Sequence, residues 1–334
     1  MSLSTEDRNA LIRVIQSGVP FQARPFQSIA EDLGSTETAV IEALCELQRE
    51  KILREISAVL EGSLLGHQSA LATGTIPEKR IEAVAEIVSA HPTVSHNYLR
   101  DHEYNLWFTI AVPPEMPLDR TLELLAKEAG VDGFHALSRT HVFKIGVNFD
   151  PDSLKNRTEV TKTSTAQKVE VGPRDALFFR ALQIPLPLVE RPFEELARGV
   201  DASEDELIEF ATRHLGGAIR RYVGTLRHRK LGVKENGMVV WRVPDDEVQA
   251  AGEQLAQAPE VSHCYARNPV RNFPYTLYSM VHGPSRESCH KIARRLSRQT
   301  GLGDYAVLFS EREFKKQRLR YFLPELDRWW SERA

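Results

Sequence analysis

The chain is written twice. Arg24-Pro25-Phe26 returns as Arg191-Pro192-Phe193, 191 − 24 = 167 positions later. The same offset carries Arg54 onto Arg221, Pro77 onto Pro244 and Pro92 onto Pro259. It also lays VSHNYLR (94–100) on VSHCYAR (261–267) and Asn105 on Asn272. Further on the register slips, because Phe143-Lys144 matches Phe314-Lys315 at 314 − 143 = 171. A long fixed period means one structural unit in two copies. Such copies are expected to form an internal pseudo-dimer, with like surfaces around an approximate two-fold axis. The stretch DPDSLKNRTEVTKTSTAQKVEVGP between them is polar and aperiodic, as a linker would be.

Each copy divides again. In the first, residues 4–17 carry Leu11, Ile12 and Ile15 at helical spacing. PFQSIAEDLG and STETAVIEALCELQREKIL then predict a helix, a turn at Gly34, and a second helix capped by Ser35 or Thr36. REISAVL (54–60) alternates like a wing strand. The remainder reads strand, helix 80–90, strands 94–100 and 105–112, helix 119–129 and strand 140–149. Copy two reads strand 237–243, helix 245–257, strands 261–267 and 275–282, helix 285–299 and strand 305–315. The order β-α-β-β-α-β is ferredoxin-like. The fold class is therefore α+β: a tandem duplication, each half a winged helix-turn-helix plus a ferredoxin-like domain. The expected segments are 1–60 and 61–150 for the first copy, a linker at 151–173, then 174–228 and 229–334 for the second. Two such sheets often pack face to face, and the two halves could supply both faces.

Several functions are disfavoured. The net charge of −3 argues mildly against a nucleic-acid binder. The predicted recognition helices begin with Glu37, Glu42 and Glu46 in copy one, and with Glu204, Asp205, Glu206 and Glu209 in copy two. Acidic side chains suit a helix N-terminus but repel phosphate. No apolar run is long enough for a membrane span, and the start of the chain lacks the features of a signal peptide. Cys45, Cys264 and Cys289 are scattered, which fits a reducing cytoplasm and neither a disulfide framework nor a zinc site. There is no phosphate loop, GxSxG elbow, HExxH or carboxylate cluster with metal-ligand spacing.

Chemistry is concentrated in copy two. RRYVGTLRHRKLG (220–232) places Arg220, Arg221, Arg227, His228, Arg229 and Lys230 close together. The aligned ISAVLEGSLLG of copy one is nearly uncharged, with Glu61 opposite His228 and Gly62 opposite Arg229. The basic segment is either a solvated wing or the rim of a pocket for a polyanion, whose carboxylates arginine forks would hold. In both copies a strand begins His-x-Tyr-x-Arg: His96, Tyr98 and Arg100, then His263, Tyr265 and Arg267. Period two puts each trio on one face, which is either exposed or lines a polar cavity. His282 closes the strand TLYSMVHG, with Glu115 aligned to it at the 167 offset, and His102 lies in a turn.

The helix-turn-helix followed by βαββαβ, with VSHNYLRDHEYNLWF in copy one and RHRKLGVKENGMVVW, VSHCYAR and YTLYSMVHG in copy two, resembles the sirohaem decarboxylases of AsnC/Lrp-like fold. The first half looks like the D-type subunit and the second like the L-type. The resemblance implies decarboxylation of two acetate side chains of sirohaem to didecarboxysirohaem, in haem d1 or alternative haem biosynthesis. It also implies an iron tetrapyrrole bound as substrate, with no required cofactor and no protein metal site. His228, His263, His282 and His96 are then the histidine set for proton donation. Arg221, Arg227, Arg229, Lys230 and Arg267 become the carboxylate binders, with Tyr265 as a further donor. Copy two is the favoured pocket. A homo-oligomer is compatible with this reading. An AsnC/Lrp-type regulator, or a chaperone or sensor that holds a tetrapyrrole without turnover, are the alternatives.

Overall fold

The computed structural model of the chain describes residues 3–145, 148–149, 156–157, 167–226, 235–270 and 272–334. They form two compact units, and each unit draws on both copies of the repeat.

One unit holds the helical modules: α1 (Thr5–Ser17), α2 (Pro25–Asp32), α3 (Glu37–Arg49) and β1 (Leu53–Leu60) from the first copy, and α6 (Pro173–Leu182), α7 (Pro192–Arg198), α8 (Glu204–His214) and β8 (Ile219–Leu226) from the second. The repeated Arg-Pro-Phe is explained here. Proline occupies the first turn of α2 and of α7, where its missing N–H costs nothing. Phe26 and Phe193 are fully buried. Arg24 pairs with Glu37, and Arg191 with Glu204, so each arginine ties its helix to the start of the next. Thr36 caps α3 by accepting from Ala39 N–H, and Ser203 with Glu206 forms a capping box on α8. The predicted wings are not separate. β1 and β8 pair antiparallel with each other, from Leu53 opposite Leu226 to Leu60 opposite Ile219. Two extended segments with open edges are satisfied most simply by each other. Backbone bonds cross between the copies as well: Val19 N–H donates to Tyr222 C=O and Leu186 N–H to Ile56 C=O, both at 2.8 Å.

The other unit holds the ferredoxin-like parts. Copy one contributes β2 (Gln68–Gly74), α4 (Ile81–Ala90), β3 (His96–Arg100), β4 (Leu106–Val112), α5 (Leu118–Ala129) and β5 (His135–Ile145). Copy two contributes β9 (Glu235–Trp241), α9 (Val248–Gln257), β10 (Val261–Arg267), β11 (Leu277–Gly283), α10 (Arg286–Thr300), β12 (Tyr305–Lys316) and a terminal α11 (Pro324–Ser331). The short strands β6 (Asn148–Phe149) and β7 (Asn156–Arg157) pair with one another. The predicted strand 140–149 thus begins earlier, at His135. The two sheets do not pack face to face. They join edge to edge, β12 to β3 and β10 to β5, into a closed eight-stranded barrel. Closure removes every unpaired edge, which stacking two open sheets would leave in place.

The strand faces separate cleanly. One face packs under α4 and α5, or α9 and α10, in two apolar cores. Each core borrows an aromatic side chain from the other copy, Phe143 among the α9–α10 set and Phe314 against the α4–α5 set. The opposite face turns into the barrel, around Trp107, Leu137, Met238, Tyr278 and Leu308. The change of offset from 167 to 171 has a plain origin. Five residues (101–105) join β3 to β4, while nine (268–276) join β10 to β11, a difference of 9 − 5 = 4. Two alignments made at 167 are corrected accordingly. Arg100 N–H donates to Asn105 C=O and Arg267 N–H to Thr276 C=O, so Thr276 is the counterpart of Asn105. Asn272 instead occupies a left-handed turn position, with φ 63°. The counterpart of His282 is Ala111, not Glu115, because Asn236 faces His282 across β9–β11 as Ser69 faces Ala111 across β2–β4.

Candidate active site

The two His-x-Tyr-x-Arg strands keep their expected geometry. On β3, Asn97 points to α4, donating to Ala85 C=O, and Leu99 packs against the same core. His96, Tyr98 and Arg100 therefore point the other way, into the barrel. On β10, Cys264 and Ala266 belong to the helix-side core, so His263, Tyr265 and Arg267 also point inward. The polar face lines the barrel interior and is not a solvent face. Its arginines reach across the seams between the copies: Arg100 donates to Leu308 C=O at 3.0 Å and Arg267 to Leu137 C=O at 2.8 Å. Burial pushes each guanidinium down to about 10. Arg267 also lies over the rings of Tyr265 and Tyr278, 5.2 and 5.7 Å from their centroids. Its Nε is buried and makes no hydrogen bond. A cation so placed favours an arriving carboxylate.

Copy two adds a hydrogen-bonded chain. A β-bulge interrupts β10 between Val261 and His263. The bulge re-aims the fully buried Ser262, whose Oγ lies 2.8 Å from His263 Nδ1 and 2.5 Å from His282 Nε2. His282 Nδ1 is 2.6 Å from Asn236 Oδ1. Burial, aided by the charge of Lys316, pushes His282 down to about 4, so it is neutral at pH 7. Lys316 also faces His96 across the β12–β3 ladder. The cationic end of β12 is thus shared by a histidine from each copy. Copy one has a shorter chain, in which Ser95 Oγ lies 3.0 Å from His96 Nδ1 and 2.8 Å from Thr109 Oγ1. No second histidine follows there, because Ala111 occupies the place of His282.

Other sequence-selected residues fall elsewhere. Arg221 lies on β8 in the helical unit, opposite Val59. Its neighbour Arg220 pairs with Glu61, so that part of the basic segment belongs to a strand ladder and not to the barrel. Arg227, His228, Arg229 and Lys230 lie outside the described residues. His102 is a turn histidine, its Nδ1 accepting from Tyr104 N–H and its ring edge-on to Phe273. Residue patterns missed Ser262, Asn236 and Lys316. The repeated Val-Ser-His held a signal for the serine, since Ser95 and Ser262 recur directly before the histidine. A cavity of about 630 Å³ between α7 and α8 is lined by five carboxylates and two arginines, the wrong balance for a polyanion. Among the described residues no cluster of three or more His, Cys, Asp or Glu side chains could hold a metal ion, and no helix is long and apolar enough to cross a membrane.

Family profiles match both copies. The AsnC-like ligand binding domain covers residues 64–144 and 230–315, and the sirohaem decarboxylase NirDL-like HTH domain covers 8–54 and 179–219. The chain is 37% identical over 324 residues to a sirohaem decarboxylase of Hydrogenobacter thermophilus, spanning 96% of this chain and 97% of that protein. It is 39% identical over 147 residues to a sirohaem decarboxylase beta subunit of Methanosarcina barkeri, which spans 44% of this chain and 97% of the subunit. The crystal structure of the sirohaem decarboxylase NirDL in co-complex with an iron-uroporphyrin III analogue superposes with a TM-score of 0.80 at 33% identity, over 98% of both chains.

Proposed function

Since the chain belongs to the sirohaem decarboxylase family, we propose that it removes the carboxyl groups of two acetate side chains of sirohaem as CO2, giving didecarboxysirohaem. The class is carboxy-lyase. The observation that supports this reading most is the inward-facing histidine pair of copy two, coupled through Ser262 within a barrel that also holds buried cations. A regulator would need a helix-turn-helix that reads DNA. Glu37 and Glu204 are instead spent on ion pairs with Arg24 and Arg191, and Glu206 on the cap of α8.

The chemistry is a cleavage with a proton to follow. The pair of electrons in the C–CO2 bond stays on the methylene carbon and spreads into the substrate macrocycle. One proton per CO2 released then converts that carbon to methyl. The protein must hold the unreactive carboxylates, leave the reacting one poorly neutralised, and supply the proton. Arg267, Lys316 and Arg100 are the cations on the barrel side of the site, with Tyr265 beside Arg267 as a donor. Arg227, Arg229 and Lys230 remain assigned to carboxylates, and His228 to proton donation, on the resemblance alone. His282 is neutral and engaged at both nitrogens, so it orients its neighbour. His263, bonded at Nδ1 to Ser262, acts through Nε2. His96 occupies the matching place in copy one. The only ligand in this scheme is the substrate with its own iron, and the reaction needs no resident cofactor. A reducing cytoplasm fits three free thiols.

The test is anaerobic incubation of the protein with sirohaem and mass analysis of the extracted tetrapyrrole. Loss of two CO2 is expected from the wild type. His263→Ala and His282→Ala should each lower the rate by about 10²- to 10⁴-fold. Sirohaem that binds and returns unchanged would identify a carrier or sensor instead.

A further inference from the structure

We propose that Ser262 and Asn236 are positioning residues that fix the tautomer of both copy-two histidines, so that His263 carries its proton on Nδ1 and exchanges protons with the substrate through Nε2. The inference rests on the decarboxylase reading and adds the polarity of the site to it. The amide oxygen of Asn236 has no proton to give, so His282 Nδ1 must be the donor across their 2.6 Å contact. His282 is neutral, so its single ring proton is then used, and Nε2 is left as an acceptor. Facing Nε2 at 2.5 Å is Ser262 Oγ, whose one proton goes to that nitrogen in preference to Met280 C=O, which lies farther off at 3.4 Å. With its proton committed, Ser262 can only accept from His263 Nδ1, 2.8 Å away. The direction of the whole chain follows from its terminal amide.

Copy one lacks this property. Its chain ends on Thr109 Oγ1, a hydroxyl that can donate to Ser95 or accept from it. The Ser95–Thr109 chain by itself therefore has no fixed direction to impose on His96. The two copies therefore differ in a way that does not involve the basic segment 220–230. Near-identical strands place His263 on a chain with a fixed direction and His96 on one without. Holding the ring proton on Nδ1 keeps Nε2 as the nitrogen that takes up the next proton, and the imidazolium so formed gives that proton from Nε2 to the substrate carbon and returns to the same tautomer. The bulge at Ser262 matters for the same reason, because without it a residue next to His263 would face the helices.

The experiment reads tautomers directly, from the 15N shifts of imidazole nitrogens in histidine-labelled full-length protein without substrate. Wild type should show Nδ1–H with an unprotonated Nε2 for both His263 and His282. Asn236→Asp keeps the accepting oxygen and should keep that pattern. Asn236→Ala should give mixed tautomers at His282 and His263. Ser262→Ala should mix the tautomer of His263 and lower kcat with sirohaem by about 10-fold or more, with KM little changed. Because Asn236 is exposed, its variants test the idea even where Ser262→Ala does not fold. A wild type with His263 protonated at Nε2, or Asn236→Ala with unchanged tautomers, overturns the proposal. Correct tautomers in a protein that leaves sirohaem unchanged would sink the decarboxylase reading and not this one.

Discussion

At the scale of single residues, burial decides which groups are charged. His91 sits at the C-terminal end of α4 with its ring edge-on to Trp329, 4.4 Å between centroids, and burial pushes it down to about 3. His282 is held near 4. Both folded values lie below that of an unfolded chain, about 6.5. As pH falls through 6.5 the unfolded state takes up protons that the folded state refuses, so stability must drop from there toward pH 3–4. Each histidine contributes on the order of a few kcal/mol to that loss. Thermal unfolding between pH 7 and 4 should show a falling Tm, and His91→Gln should make the fall shallower. A Tm flat over this range would mean that these rings are not held neutral.

At the scale of elements, the seams between copies are held by exchanged parts. Lys144 of β5 donates to Ala258 C=O at the end of α9, and its counterpart Lys315 of β12 donates to Ser89 and His91 C=O at the end of α4. Each copy thus satisfies helix-end carbonyls of the other. Phe143 presses on Gly252 in α9, where an added Cβ would come within 2.3 Å of the ring. Gly252→Ala should therefore cost about 1–3 kcal/mol, whereas Gly303→Ala, with open space around it, should leave Tm nearly unchanged. Equal effects would contradict the close approach. The capping reading gives a second check: Thr36→Ala should cost about 1 kcal/mol in chemical denaturation.

At the scale of the whole chain, duplication followed by edge-to-edge strand pairing makes the halves interdependent. β3, β5, β10 and β12 would each be an edge strand if a copy folded alone. Residues 1–157 or 167–334 expressed singly should aggregate or dimerise, while their co-expression should restore a folded complex with sirohaem turnover. Size-exclusion chromatography and the same mass analysis report both. A half that remained a stable monomer would show that the barrel seams are dispensable. The match of a separate beta subunit to less than half of this chain fits a fold that needs two parts but not one continuous backbone.

The sequence by itself determined the duplication, the class of most main elements and the shared strand face of His-x-Tyr-x-Arg, because repeats, caps and period two are local signals that a strand or helix obeys wherever it sits. That this face turns inward was decided by the barrel. The sequence also carried the resemblance that led to sirohaem. It did not reveal how open edges close, since β1 meets β8 and β3 meets β12 across more than 150 residues and a strand's own pattern does not name its partner. Nor did it align His282 with Ala111, because four extra loop residues shift the offset only after the strand register is known. Ser262, Asn236 and Lys316 became visible for the same reason: their importance lies in what a bulge and two ladders place beside them. Local chemistry is written in the order of residues, but the pairing of distant polar groups exists only once the barrel has closed.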